Sequence, residues 1–166
     1  MHRALLALVV VLLVAGGAPA QDPVAIVGPI ESTKSRLLAL RLRPGQDLRK
    51  ELMRVVEQEK LEAAAIVTCV GSLTKVTLRY ANQPEGTVIE GHHLEIVSLV
   101  GTLGRAGSHL HLSVSDETGK TVGGHLLEGS AVYTTAEIVL QVLDDVRFGR
   151  AHDDLSTYDE LVFERR

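Results

Sequence analysis

The sequence predicts an α+β domain built on a mostly antiparallel sheet, and three observations carry that expectation. Strand signals outnumber helix signals widely, only one segment has a sustained helical period, and two late strands are joined by a short turn-like segment that suits a hairpin. The chain has 166 residues, enough for one full core and too few for two comfortable ones.

The first residues stand outside that core. Met1-His2-Arg3 is a short basic start, Ala4 to Val14 is almost purely aliphatic, and Ala18-Pro19-Ala20 is a small-x-small cleavage pattern before Gln21. Residues 1–20 therefore read as a secretory signal peptide, with cleavage near Ala20 and a secreted or periplasmic mature chain. The apolar run is too short for a permanent membrane anchor. Residues 21–34, punctuated by Pro23, Gly28 and Pro29, read as an N-terminal arm.

The domain is expected over 35–163. Leu38, Leu40 and Leu42 alternate with Ala39, Arg41 and Arg43, the pattern of a half-buried strand. Pro44-Gly45 turns the chain. Asp47 can cap a helix whose apolar stripe is Leu48, Leu52, Val55 and Val56, ending near Lys60. Ala64 to Val70 is a continuous apolar run, as in a strand buried on both faces, and Gly71-Ser72 is expected to break it. Val76, Leu78 and Tyr80 form the next alternation, Asn82 to Gly86 a loop, Leu94 to Val100 a strand, and Gly101 to Gly107 a glycine-rich bend. His109 to Val114 and Thr121 to Leu127 form the hairpin. Ala131 to Tyr133, a β-rich stretch from Ala136 to Val146, and a short strand from Asp159 to Phe163 complete the chain.

Charge and cysteine content narrow the function. Cleavage removes Arg3 from 17 basic residues set against 21 acidic ones, so the mature charge is −5 with His neutral. Phosphate-backbone binding wants the opposite sign, and no run of Lys and Arg is present, so no nucleic-acid partner is expected. Cys69 is the single cysteine, inside an apolar run, and reads as a small core residue. No nucleophile elbow, phosphate loop or dinucleotide fingerprint occurs.

The chemistry-bearing pattern is a trio of histidines. In Ser108-His109-Leu110-His111-Leu112-Ser113-Val114, His109 and His111 share one strand face about 6.6 Å apart along the backbone, with the leucines on the other. His125 follows in Val122-Gly123-Gly124-His125. Three imidazoles are a donor set for an open divalent-metal site of the zinc type. An odd loop, such as Asp116 to Lys120, sets His125 opposite His111, whereas an even loop sets it opposite Leu110. A bulge at Gly123-Gly124 can shift that register, so both arrangements stand at the level of sequence. The alternative is that these histidines are polar residues of a solvated face or hydrogen-bond across a subunit boundary. Glu95 and Glu128 are the candidates for proton transfer or for orienting an imidazole. Glu128 also suits a turn before Gly129. His92 and His93 are read as loop-edge residues, and His152 as exposed within the acidic segment Asp144 to Asp154.

Four segments resemble a known family. Leu40-Arg41-Leu42-Arg43-Pro44-Gly45-Gln46-Asp47, His93 to Thr102, Ser108-His109-Leu110-His111, and Gly123-Gly124-His125-Leu126 through Glu137 are similar to the plants-and-prokaryotes-conserved (PPC) domain, over about Ser35 to Phe163. The resemblance implies a single domain with a central antiparallel sheet flanked by one or two helices, a homotrimer, and histidines at 109, 111 and 125 like those of the prokaryotic branch. It also carries a DNA-binding label, from plant members with AT-hook peptides; this chain has no Arg-Gly-Arg-Pro hook. The expected function is an exported, trimeric binding or assembly module with a metal or small-ligand site. A metal-dependent enzyme is the second reading and a DNA-associated regulator the third, set back by charge and export. A trimer also leaves open whether a neighbouring subunit supplies the third ligand.

Overall fold

A computed structural model of the chain describes residues 28–166. Residues 1–27, which include the expected signal peptide and the start of the expected arm, lie outside the described residues.

The alternation at Leu38, Leu40 and Leu42 becomes β1, Ser35–Leu42, and the helical stripe becomes α1, Leu48–Gln58, which buries Leu48, Leu52 and Val56. Asp47 caps the helix, one carboxylate oxygen accepting from Lys50 N at 2.9 Å. Its other oxygen accepts from Gly129 N at 2.6 Å and Ser130 N at 3.1 Å, tying the helix to the far end of the chain. The helix ends without glycine because Lys60 itself takes the left-handed conformation, with φ 52. Asp47→Ala is expected to destabilise the fold by about 2–4 kcal/mol, from the lost cap and two orphaned backbone donors. Chemical denaturation measures it, and a loss under about 0.5 kcal/mol, the range of an ordinary surface change, would contradict this role.

Six strands form the main sheet. To β1 are added β2 (Ala64–Arg79), β3 (Thr87–Gly104), β4 (Gly107–Ser115), β5 (Thr121–Leu126) and β6 (Ala131–Leu143), in the order β1-β6-β2-β3-β4-β5. All pairings are antiparallel, and β5 also pairs with the end of β2 through Leu78↔Leu126 and Arg79↔His125. Strands β2 to β5 thus close on themselves. Leu73, Leu78, Leu110, Leu112, Val114, Leu126, Ile138 and Leu140 fill the core with the helix stripe. Cys69 joins them, its thiol pushed up to about 12 by burial, as the core reading expects.

Four expectations are corrected. Gly71-Ser72 does not break the strand: β2 runs through it, because Gly71 (φ 140) lets Thr135 of β6 approach where a Cβ would collide with that residue's carbonyl oxygen. Nor is Ala64 to Val70 buried on both faces, since Val67 and Val70 are each 55% exposed. The glycine-rich bend after Val100 shrinks to a tight turn at Arg105-Ala106, with β3 continuing to Gly104. His92 and His93 fall inside β3 rather than at a loop edge, and His93 Nε2 lies 3.1 Å from the Tyr133 hydroxyl.

The acidic segment Asp144 to Asp154 contains a further strand. A turn at Asp144-Asp145 leads into β7 (Val146–His152), which pairs with β8 (Asp159–Arg165) as a separate two-stranded sheet. Phe148 faces Phe163 across the hairpin, and both pack with Val146 and Ala63. Asp145 holds the arm: its carboxylate accepts from Ser32 Oγ at 2.6 Å and from Thr33 N and Oγ1 at 2.9 Å. His152 is exposed, as expected, though within β7.

Candidate metal centre

The hairpin loop decides the register that the sequence left open. Asp116 Oδ1 accepts from Thr118 N, Thr118 Oγ1 and Lys120 N, and Gly119 turns with φ 81, so five residues connect the strands. Pairing then runs without a shift from Ser115↔Thr121 to His111↔His125. The odd-loop arrangement holds. Gly123-Gly124 makes no bulge against β4; instead Gly124 lets β5 lie close to Arg79 of β2, whose carbonyl oxygen a Cβ would meet at 2.8 Å.

With Leu110, Leu112 and Val114 turned into the core, His109 and His111 project outward together with His125. Their ligand atoms all lie within 4.8 Å of one another, and every one belongs to the same chain. His109 Nε2 and His111 Nε2 are 3.2 Å apart. Two nitrogens bound tetrahedrally to zinc at 2.0–2.1 Å would stand about 3.3–3.4 Å apart, so this spacing fits two corners of one coordination shell. The donor set fits a divalent ion of the zinc type, which would supply a Lewis acid with a position left open to solvent.

Electrostatics keep the imidazoles ready as ligands. Partial burial, with help from Arg79, His109, His111 and Arg49, pushes His125 down to about 4. Burial and the neighbouring His111 lower His109, Arg150 and Arg79 adding to the effect and Glu160 opposing it. Neutral imidazole is the coordinating form, so proton competition at these two is weak near neutral pH. The unfolded imidazole titrates near 6.5, so between about pH 4 and about pH 6.5 the unfolded chain holds more protons than the folded one. The metal-free protein should therefore have this contribution in full above about pH 6.5 and lose it as pH falls toward about 4. Melting temperatures across that window, for the parent and for His125→Gln, check this; an identical pH dependence in the two would refute it.

The two proposed carboxylates do not join the trio. Glu128 follows β5 but pairs with Arg49 and Lys50 at 3.4 and 3.5 Å. Glu95 is opposite Ser115, four residues along β4 from His111, or about 13 Å by the strand rise. The acid that acts on His109 is Glu160 of β8, the strand expected from Asp159, brought there by its pairing with the unexpected β7. Glu160, His109 and His125 border one groove of ≈ 1030 Å³. Arg79 occupies the polar position between Leu78 and Tyr80 of the strand alternation, whereas no local pattern marks Arg150 or Glu160 as neighbours of the trio.

The Plants and Prokaryotes Conserved (PCC) domain, also abbreviated PPC, matches residues 30–144. The chain belongs to this PCC domain family. Over 137 residues, 82% of its length, it is 45% identical to the Bifunctional protein GlmU of Synechococcus sp. (strain JA-3-3Ab). The matched part is 22% of that protein, so the chain spans about a fifth of the length of the curated relatives it matches. Among solved structures it resembles a hypothetical protein from Salmonella cholerae-suis, with 45% identity, a TM-score of 0.80, and coverage of 82% of this chain and 98% of that one. It also resembles a metal-containing protein from Archaeoglobus fulgidus, with 26% identity, a TM-score of 0.63, and coverage of 83% and 99%. A PPC protein from Pyrococcus horikoshii is 27% identical with a TM-score of 0.62, covering 81% and 96%. The β7–β8 hairpin begins beyond residues 30–144, which match the PCC domain.

Proposed function

We propose that this PCC-domain protein is an exported homotrimeric binding and assembly module that holds a divalent metal, zinc or a similar ion, on His109, His111 and His125. The observation that carries the reading is the convergence of three imidazoles within 4.8 Å on the outer face of the sheet. The lowered His109 and His125 support it, and the related Archaeoglobus protein is itself described as metal-containing.

Self-association draws on the same outer face, on the strands beside the trio. Val67 and Val70 of β2 and Val97 and Val100 of β3 are 54–57% exposed, and Val100 is in register with His111. An apolar group of this kind on adjacent strands is suited to burial against further copies of the chain. Export rests on the basic, aliphatic, small-x-small start, and the net charge of −4 argues against a nucleic-acid partner. A metal-dependent enzyme is the second reading, favoured by the groove that opens beside the trio, with Glu160 on its wall. There a bound ion would polarise a substrate, His109, His111 and His125 would hold it, and Glu160 would be the group able to exchange a proton.

Elemental analysis of purified mature protein, paired with melting temperature during zinc titration, tests the metal reading. One ion per chain and a rising melting temperature are expected. Absence of both would sink it. Sedimentation equilibrium tests the trimer separately, and a monomer at micromolar concentration would remove that part alone.

A further inference from the structure

We propose that the groove beside the histidines binds a small monocarboxylate, whose carboxylate is held by Arg79 and Arg150 next to the ion on the trio. This rests on the metal reading and adds a ligand class to it.

The first observation concerns where arginines are sheltered. Among the described residues, the partly buried arginines are Arg49, Arg79 and Arg150, and all three line this groove. Arg49 is paired with Glu128. Neither Arg79 nor Arg150 has an acidic side chain within ion-pair distance among the described residues, although Arg36, Arg54, Arg105, Arg147 and Arg165, all more exposed, do. Sheltering a guanidinium from water without an anionic partner is costly, and a planar five-donor fork matches a carboxylate in bidentate fashion.

The second observation is register. Arg79 is the cross-strand partner of His125, which is the partner of His111, so one row across β2, β5 and β4 reads Arg, His, His on the outer face. Arg150 arrives from the other wall. It lies two residues beyond Phe148 and opposite Leu161, on the hairpin face that carries the packed Phe148 and Phe163. Two guanidinium groups from separate elements thus flank a metal-binding trio.

Charge and size set the ligand class. Asp159 and Glu160 also line the groove and offset the two arginines, leaving the charge of the bound ion to be met; the planar guanidinium forks match the two oxygens of a carboxylate, whereas the further charged oxygen of a phosphate dianion would be set against Asp159 and Glu160. A volume of ≈ 1030 Å³ is at the upper end of small-molecule sites.

The test uses the mature protein loaded with cobalt(II), whose visible spectrum reports the coordination shell. Butyrate is titrated with calorimetry in parallel, butanol serves as the uncharged control, and inorganic phosphate as the competing anion. Butyrate should bind and perturb the cobalt spectrum, butanol should not, and phosphate should bind more weakly. Arg79→Gln and Arg150→Gln should each weaken butyrate by about tenfold or more, the scale of one lost charge-assisted bond, with cobalt uptake and melting temperature unchanged. Cobalt uptake without butyrate binding, butyrate binding indifferent to both substitutions, or phosphate binding as tightly as butyrate overturns this inference and leaves the metal reading standing. Failure to take up cobalt sinks both.

Discussion

Gly101→Ala is expected to destabilise the protein by on the order of 3 kcal/mol or more and to abolish metal binding at the trio. Gly101 has φ 137 and lies opposite Leu110, where β3 and β4 approach so closely that a Cβ would collide with the His109 carbonyl oxygen. Backbone strain and overpacking each cost about 1–3 kcal/mol, and here the same atom causes both. Relief requires β4 to move at His109, which displaces the first of the three ligands. Gly107→Ala is the matched control: its φ is 118, but nothing lies within 4 Å of the added methyl, so only the conformational cost of about 1–2 kcal/mol remains. Denaturation midpoints with zinc titration of both variants decide it. Equal effects at the two glycines would show that close packing against His109 is not what Gly101 serves.

His125→Ala should weaken zinc binding by more than the 10–100-fold that follows from losing a residue that only orients a ligand. It removes one of three donors and the half-buried one at the centre of the Arg79, His125, His111 row. With the trio as the proposed ligand set, zinc at one hundred times its dissociation constant should add about 2.7 kcal/mol of stability to the parent protein. The variant should show almost none of this, while its metal-free stability stays close to that of the parent. His93→Ala, which loses only the contact to Tyr133, should retain full zinc response. Retention of parental zinc affinity by His125→Ala would mean that the trio is not the ligand set.

Much of this arrangement was legible because strand chemistry is periodic. Leu110, Leu112 and Val114 announced their face by alternation, the five-residue loop set the parity, and Asp47 with its apolar stripe announced the helix. What escaped depends on tertiary approach. Gly71 looks like a break until β6 is laid against it, and the apolar run from Ala64 looks fully buried because a surface for a partner carries the same residues as a core. β7 was hidden by Arg147, Arg150 and the flanking acids, which blur its alternation around Phe148. Arg79 and Arg150 meet only through a hairpin whose position no local pattern encodes.

The closure of β5 onto β2 has a kinetic consequence. His109, His111 and His125 all sit on one hairpin, a contact of low sequence separation that forms on the microsecond scale. Sealing Leu78 against Leu126 must wait until two intervening strands are laid down, the kind of non-local step that slows β-rich chains. The three donors can therefore gather before the ring shuts, and an ion present during refolding can hold the hairpin while the rest assembles. Stopped-flow refolding should accelerate with zinc; if zinc slows only unfolding, capture follows closure instead.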